Sequence, residues 1–353
     1  MNSDEYIKKF NKSYKIIMSN DSKYIARTSG ASIYIHDTIT FDQIAVFKDV
    51  KHANQIKFSS DSKRLVSKSA ERKFVVYDLE NMNLINKIYI RKTRQPQDGE
   101  FCFSKDNKFI YNTVYTNELL GYISKINIES GETEIIYSPE NCVFNGARYI
   151  SEKDKYVFTG FERGKFRNVE FVVEYDENQS KFKRIDLKHD FNTFIYHGLT
   201  KKFIVNSLAS KNILFISNNY RKILNKLSPL SLNTTKISFF DVLNSSKKLR
   251  EKLNQNEEKV KTLKEIYEKN AIEISLDGNI KHFNISNGGK YLAVATTNRI
   301  KIYDLATLKL LDQIENQYTC YVSFSPDDTL ILVGTWSHGF IYPFDIKGKL
   351  HDQ

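Results

Sequence analysis

Seven histidines and three cysteines are the residues of this 353-residue chain best suited to hold a metal or supply a nucleophile, and their spacing argues against both uses. His36, His52, His189, His197, His282, His338 and His351 stand isolated from one another. Cys102, Cys142 and Cys320 form an odd, scattered set, with no Cys-x-x-Cys and no Cys/His pair at ligand spacing. A Gly-x-x-x-x-Gly-Lys-Ser/Thr loop, whose amides would cradle phosphates, does not occur. Nor does a His-Glu-x-x-His zinc helix, a Gly-x-Ser-x-Gly nucleophile elbow or a calcium loop. The expectation is therefore no cofactor, no bound metal and no catalytic residue.

The elements that would position any functional group are marked by a recurring phrase: hydrophobic residue, Ser, two or three polar residues, Lys, then an apolar run. Clear copies begin at Met18-Ser19, Phe58-Ser59, Phe103-Ser104, Ile150-Ser151, Ile285-Ser286 and Phe324-Ser325. A degraded copy, Tyr196-His197-Gly198-Leu199-Thr200-Lys201-Lys202-Phe203-Ile204, keeps the Lys and the apolar run and loses the Ser. The recurrence every ~40–47 residues is the period of four-stranded blades. Each copy predicts a hairpin, because Ser, Asp and Asn side chains bond nearby amides in turns and Gly supplies positive φ.

A third strand follows, often ending in an aromatic residue and Asp: Ile33–Asp37, Phe74–Asp78, Ile300–Asp304, and more loosely Val172–Asp176 and Ile341–Asp345. A more polar fourth strand comes next, at Ile44–Phe47, Leu84–Ile88, Thr133–Tyr137 and Leu310–Ile314. Tyr6–Phe10 precedes the first copy and is expected to complete the last blade, hiding an edge that an open ring would expose.

Over nearly its whole length the chain resembles the WD-repeat, or WD40-like, β-propellers. The resemblance rests on Phe324-Ser325-Pro326-Asp327-Asp328 and on the strands closing with Tyr77-Asp78-Leu79 and Tyr303-Asp304-Leu305. The Trp-Asp and Gly-His pairs of that family are absent, and the single Trp, Trp336, is followed by Ser. The resemblance implies an all-β, seven-bladed propeller acting as a protein-binding scaffold. Phe161-Glu162-Arg163-Gly164 resembles the Phe-Arg-Arg-Gly motif of phosphoinositide-binding propellers but puts a carboxylate where a phosphate-contacting Arg belongs. It is expected to be a hairpin turn.

The rhythm breaks once, between the degraded fifth copy and Ser286, where the spacing roughly doubles relative to the ~40–47-residue repeat. From Ser245 to Asn270 the chain lacks Gly and Pro and is rich in helix-forming Lys, Glu, Leu and Gln. Leu249, Leu253, Val260, Leu263 and Tyr267, with Asn256 in the remaining slot, fall at the seam positions of about three heptads. Residues 245–270 are expected to form an amphipathic helix inserted between the fifth and sixth clear repeats, its stripe either lying on the ring or offered to a partner or a second copy of the chain. Lys236–Phe240 and Ile272–Leu276, on either side, could instead pair as a blade remnant and raise the count to eight; seven is preferred.

Composition bounds the rest. A hydrophobic fraction of 41% supports a large core, and residues 1–353 read as one domain. Mean hydropathy is −0.47, and no 18-residue apolar run or apolar leader is visible. The cysteine usage fits free thiols in a reducing, cytoplasmic setting. A net charge of +11 permits an anionic partner, nucleic acid or lipid, but the basic residues are spread around the repeats, with Arg91–Arg94 the densest loop. The expected function is a non-enzymatic protein–protein interaction scaffold presenting loops and the accessory helix. The alternatives are an enzyme with a site in the central channel, or a binder of anionic ligands through the basic surface.

Overall fold

The computed structural model describes residues 5–69, 73–90, 99–114, 121–164, 169–186, 191–197, 202–207, 212–217, 271–275 and 279–345, with backbone alone between 191 and 275. After β1 (Lys8–Asn11), the first sheet is β2 (Ile16–Met18), β3 (Tyr24–Ser29), β4 (Ser32–Asp37) and β5 (Gln43–Phe47). The second is β6 (Ala53–Phe58), β7 (Arg64–Ser69), β8 (Lys73–Asp78) and β9 (Asn83–Tyr89). The third is β10 (Phe101–Phe103), β11 (Phe109–Val114), β12 (Tyr122–Asn127) and β13 (Thr133–Tyr137). The fourth is β14 (Cys142–Ile150), β15 (Lys155–Glu162), β16 (Val169–Asp176) and β17 (Lys181–Asp186). The fifth is β18 (Phe191–His197), β19 (Lys202–Ser207), β20 (Asn212–Ser217) and β21 (Ala271–Ser275). The sixth is β22 (Ile280–Ile285), β23 (Tyr291–Thr296), β24 (Arg299–Asp304) and β25 (Leu310–Glu315). The seventh is β26 (Thr319–Phe324), β27 (Leu330–Thr335) and β28 (His338–Pro343), with β1 as its fourth strand.

The result is an all-β, propeller-like array of four-stranded antiparallel meanders. Middle strands such as β3 and β7 are buried along most of their length, small polar residues such as Thr28, Ser67 and Ser69 included. Outer strands such as β5, β9 and β13 are more exposed. The apolar core lies between sheets. Ala26, Ile33 and Ile35 of the first pack with Ile56, Leu65 and Val75 of the second, and Phe47 stacks on Tyr77 with ring centroids 4.0 Å apart.

The recurring serine organises the first hairpin of the first, second, third, sixth and seventh sheets. Ser19 Oγ accepts from the Tyr24 amide at 2.9 Å and donates to Asp21 at 2.7 Å. Ser59, Ser104 and Ser325 repeat the pattern with Arg64, Phe109 and Leu330. Three residues beyond the serine the backbone is left-handed, at Ser22, Ser62, Asn107, Gly289 and Asp328. These turns also tie neighbouring sheets, as where the Ser60 amide donates to Asn107 Oδ1 at 3.2 Å and the Asn287 amide to Asp328 Oδ1 at 2.5 Å. In the fourth copy the hairpin closes through a 3-10 turn, Ser151–Lys153, and Ser151 is exposed.

The Asp ending the third strand caps the next turn: Asp37 Oδ1 accepts from the amides of Ile39 at 2.8 Å and Thr40 at 2.9 Å. In the third sheet Asn127 takes over this job, so β12 lacks the aromatic-Asp ending of third strands such as β8 and β24. Closure of the seventh sheet runs through Lys8–Asn11, with Lys9 opposite Phe340 and Phe10 opposite Gly339. That is slightly later than the expected Tyr6–Phe10, and Tyr6 instead sets its ring against Phe340 and Tyr342.

The stretch expected to be helical, 245–270, lies outside the described residues, as does Lys236–Phe240. The eight-blade alternative loses one of its strands, because β21 pairs with β20 as the fourth strand of the fifth sheet. Ile341–Asp345 is also corrected: β28 ends at Pro343, and Phe344 and Asp345 follow it.

Candidate functional site

Among the described residues, the residue four places before the phrase serine recurs in one layer around a shared cavity. In the first, second, third, sixth and seventh sheets this residue is Lys15, Gln55, Glu100, His282 and Tyr321. Lys57 adds a second cation from β6, and Arg148 enters from β14. Together they line a cavity of about 580 Å³.

The electrostatics of this channel are dominated by cations held close to one another. Burial, with the nearby charge of Lys57, pushes the Lys15 ammonium down to about 7. Burial and Arg148 bring Lys57 down to about 8. Burial alone would raise Glu100, but Arg148, Lys57 and Lys15 outweigh it and hold the carboxyl below its ordinary value. Arg148 Nη2 lies 3.1 Å from Glu100 Oε1, and Lys57 Nζ donates to the Phe101 carbonyl at 2.6 Å. Lys15 Nζ stands over the Tyr321 ring, 5.0 Å from its centroid.

His282 is neutral here: burial, then Lys15 and Arg148, push it down to about 3. Its Nδ1 is 2.9 Å from the Val322 carbonyl, which can only accept, so Nδ1 carries the proton and Nε2 is left as an acceptor. Its ring lies against Tyr321, centroids 4.3 Å apart.

A second feature lies where second strands turn into third strands and where one sheet leads to the next. Trp336, in the β27–β28 turn, is 71% exposed, and Tyr318 and Tyr14, in loops entering β26 and β2, are also exposed. Trp336 packs edge-on against Tyr14 at 5.4 Å, and its amide donates to the Tyr318 carbonyl at 3.2 Å. Gly334 allows this approach, since a Cβ there would meet the Tyr14 carbonyl oxygen at 2.3 Å. Beside the aromatic group a cleft of about 1250 Å³ opens between the sixth and seventh sheets.

Of the residues singled out from sequence, Leu249, Leu253, Asn256, Val260, Leu263 and Tyr267 lie outside the described residues, as do Arg91–Arg94. Phe161 and Glu162 lie in β15 rather than in the expected turn, and Glu162 is paired with Arg184. Cys102 and Cys142 are buried free thiols on β10 and β14. His36 is buried and accepts from Arg27 Nε at 3.0 Å, a structural role. The repeat is marked by its serine and the residues after it, whereas the channel side chains sit four residues before it and share no residue type. The offset of four, repeated in five copies, was the available signal.

No known sequence family and no curated protein matches the chain. In shape it is similar to the β-propeller domain of Myceliophteria thermophila Cps50 (Swd1), with a TM-score of 0.67 at 11% identity over 96% of this chain and 99% of that one. It is also similar to Kuenenia stuttgartiensis hydrazine synthase, with a TM-score of 0.65 at 14% identity over 96% of this chain and 97% of that one. The fold is that of a β-propeller-like protein. Likeness at these identities defines that class and leaves the activity to be argued from the site.

Proposed function

We propose that the protein is a non-enzymatic scaffold, a WD-repeat-like ring of seven blades that engages a protein partner through the face bearing Trp336, Tyr14 and Tyr318. The observation carrying this reading is the exposed aromatic group itself. Trp and Tyr dominate the energetic centres of protein interfaces, because they bury much area at low entropic cost. Swd1, whose propeller domain has a similar shape, supports a scaffold role by analogy of fold. Residues 245–270 would add an amphipathic helix, with Leu249, Leu253, Asn256, Val260, Leu263 and Tyr267 facing the partner or a second copy of the chain. A cytoplasmic location fits the buried free thiols of Cys102 and Cys142.

The test is affinity capture with the intact chain, with Trp336→Ala/Tyr318→Ala, and with Leu253→Asp/Leu263→Asp. Loss of the same partner in the first variant, with an unchanged melting curve, supports the aromatic face. Loss of partner or self-association in the second, with the ring still folded, supports the helix. A lowered melting temperature with unaltered association would mean that the stripe packs on the ring.

A further inference from the structure

We infer that the central channel is a binding site for a small phosphate monoester, its phosphoryl group held by Lys15, Lys57 and Arg148. The inference is separate from the partner-binding face and rests on how charge is distributed inside the ring. Among the described residues, three cationic side chains share the channel with one carboxylate, Glu100. Glu100 is already clasped by Arg148 at 3.1 Å. Lys57 and Lys15 also feel the charge of Glu100, but the groups they lie directly against, a carbonyl and an aromatic ring, are neutral. Crowding cations into a partly desolvated channel is unfavourable unless something balances them. A phosphate monoester brings about −1.5 to −2 charges at neutral pH, enough to offset the excess.

The rest of the cavity argues for an ester with an organic body rather than a bare ion. A volume of about 580 Å³ lies within the range of small-molecule pockets and exceeds what one oxoanion fills. His282 Nε2, an acceptor that would repel an oxyanion, suits a hydroxyl donor on that body. The tilted His282–Tyr321 pair offers it an aromatic wall. The other titratable group facing Lys57 is Cys102, whose thiol burial pushes up to about 12, so it stays neutral.

Binding should also move protons. Lys15 at about 7 and Lys57 at about 8 are partly neutral at pH 8, and a bound dianion raises both, so protons are taken up with the ligand. Affinity should therefore weaken as pH rises from 7 to 9.

The experiment is calorimetric titration of the full chain at low salt with glucose 6-phosphate and, separately, inorganic phosphate. The expected result is tighter binding of the ester, with heats at pH 8 that vary with the buffer's ionisation enthalpy. Lys15→Met/Lys57→Met should weaken binding at least tenfold while keeping both aliphatic stems, with folding checked by melting. Lys57→Arg, which keeps its charge at every pH used, should retain binding and lose part of the proton uptake. Absence of heat with both ligands would overturn the proposal, as would binding unchanged in the folded double Met variant. Inorganic phosphate binding as tightly as the ester would overturn the assignment of an organic body.

Discussion

The Tyr111 hydroxyl, on the third sheet, donates to the Glu177 carboxylate of the fourth at 2.5 Å. Tyr156 and Lys125 converge on the same carboxylate at 3.0 and 2.9 Å. Burial works to raise Glu177, yet these three donors outweigh it and hold the carboxyl below its ordinary value. One side chain thus joins two sheets. Glu177→Ala should cost about 1–3 kcal/mol, because it strands the buried Tyr111 hydroxyl. Tyr111→Phe/Glu177→Ala together should cost less than the sum of the two single changes, as read from denaturant melts.

Gly334 is the point at which the seventh sheet accepts the Tyr14 loop. Gly334→Ala should lower stability by about 1–3 kcal/mol through overpacking against backbone. It should also separate Tyr14 from Trp336, visible as a shift in the emission of the single tryptophan. An unchanged spectrum would place the accommodation elsewhere.

Closure through β1 gives a third expectation. Deleting Lys8–Asn11 exposes an edge of β28, removes buried Phe10 and takes away the Asn11 carbonyl that accepts from Arg27 at 3.1 Å. Stability should fall by several kcal/mol, and self-association through the open edge should rise. A melting curve identical to that of the intact chain would remove closure as a source of stability.

Acid sensitivity follows from two histidines. Burial depresses both His36 and His282, the latter to about 3. The unfolded chain therefore takes up these protons first as pH falls below the ordinary histidine value near 6.5. Their contribution is fully present above that value and declines as pH drops toward the folded values. Stability should fall by roughly 1–2 kcal/mol from pH 7.5 to pH 5 on account of His282. His282→Gln should flatten the curve of denaturant midpoint against pH over that interval.

Much of the ring was legible in the sequence because each hairpin needs the same local chemistry. Ser19, Asp21 and Ser22 do in the first sheet what Ser104, Asp106 and Asn107 do in the third, so the text repeats. The inner layer does not repeat in kind. Lys15, Glu100, His282 and Tyr321 occupy one offset with four different chemistries, because no turn geometry dictates what stands there. Arg148 was harder still. Its hairpin closes through a 3-10 turn and β14 carries a register shift between Phe144 and Gly146, so counting back from Ser151 does not align it with the layer. Trp336 was noticed as a departure from a repeat consensus, but its exposure depends on a turn and two loops contributed by separate sheets.

The pairing of β1 with β28 also sets a schedule for biosynthesis. β1 is made before β28 and must wait for a partner that follows it by the length of six intervening sheets. At typical elongation rates that delay is on the order of 20–60 s. Throughout it the ring is an unclosed arc in which β1 lacks its partner. Lys8 and Lys9 place on β1 the kind of charge that disfavours edge-to-edge pairing. A ribosome that stalls before His338 would therefore release a protein with most of its sheets formed and its seam still open.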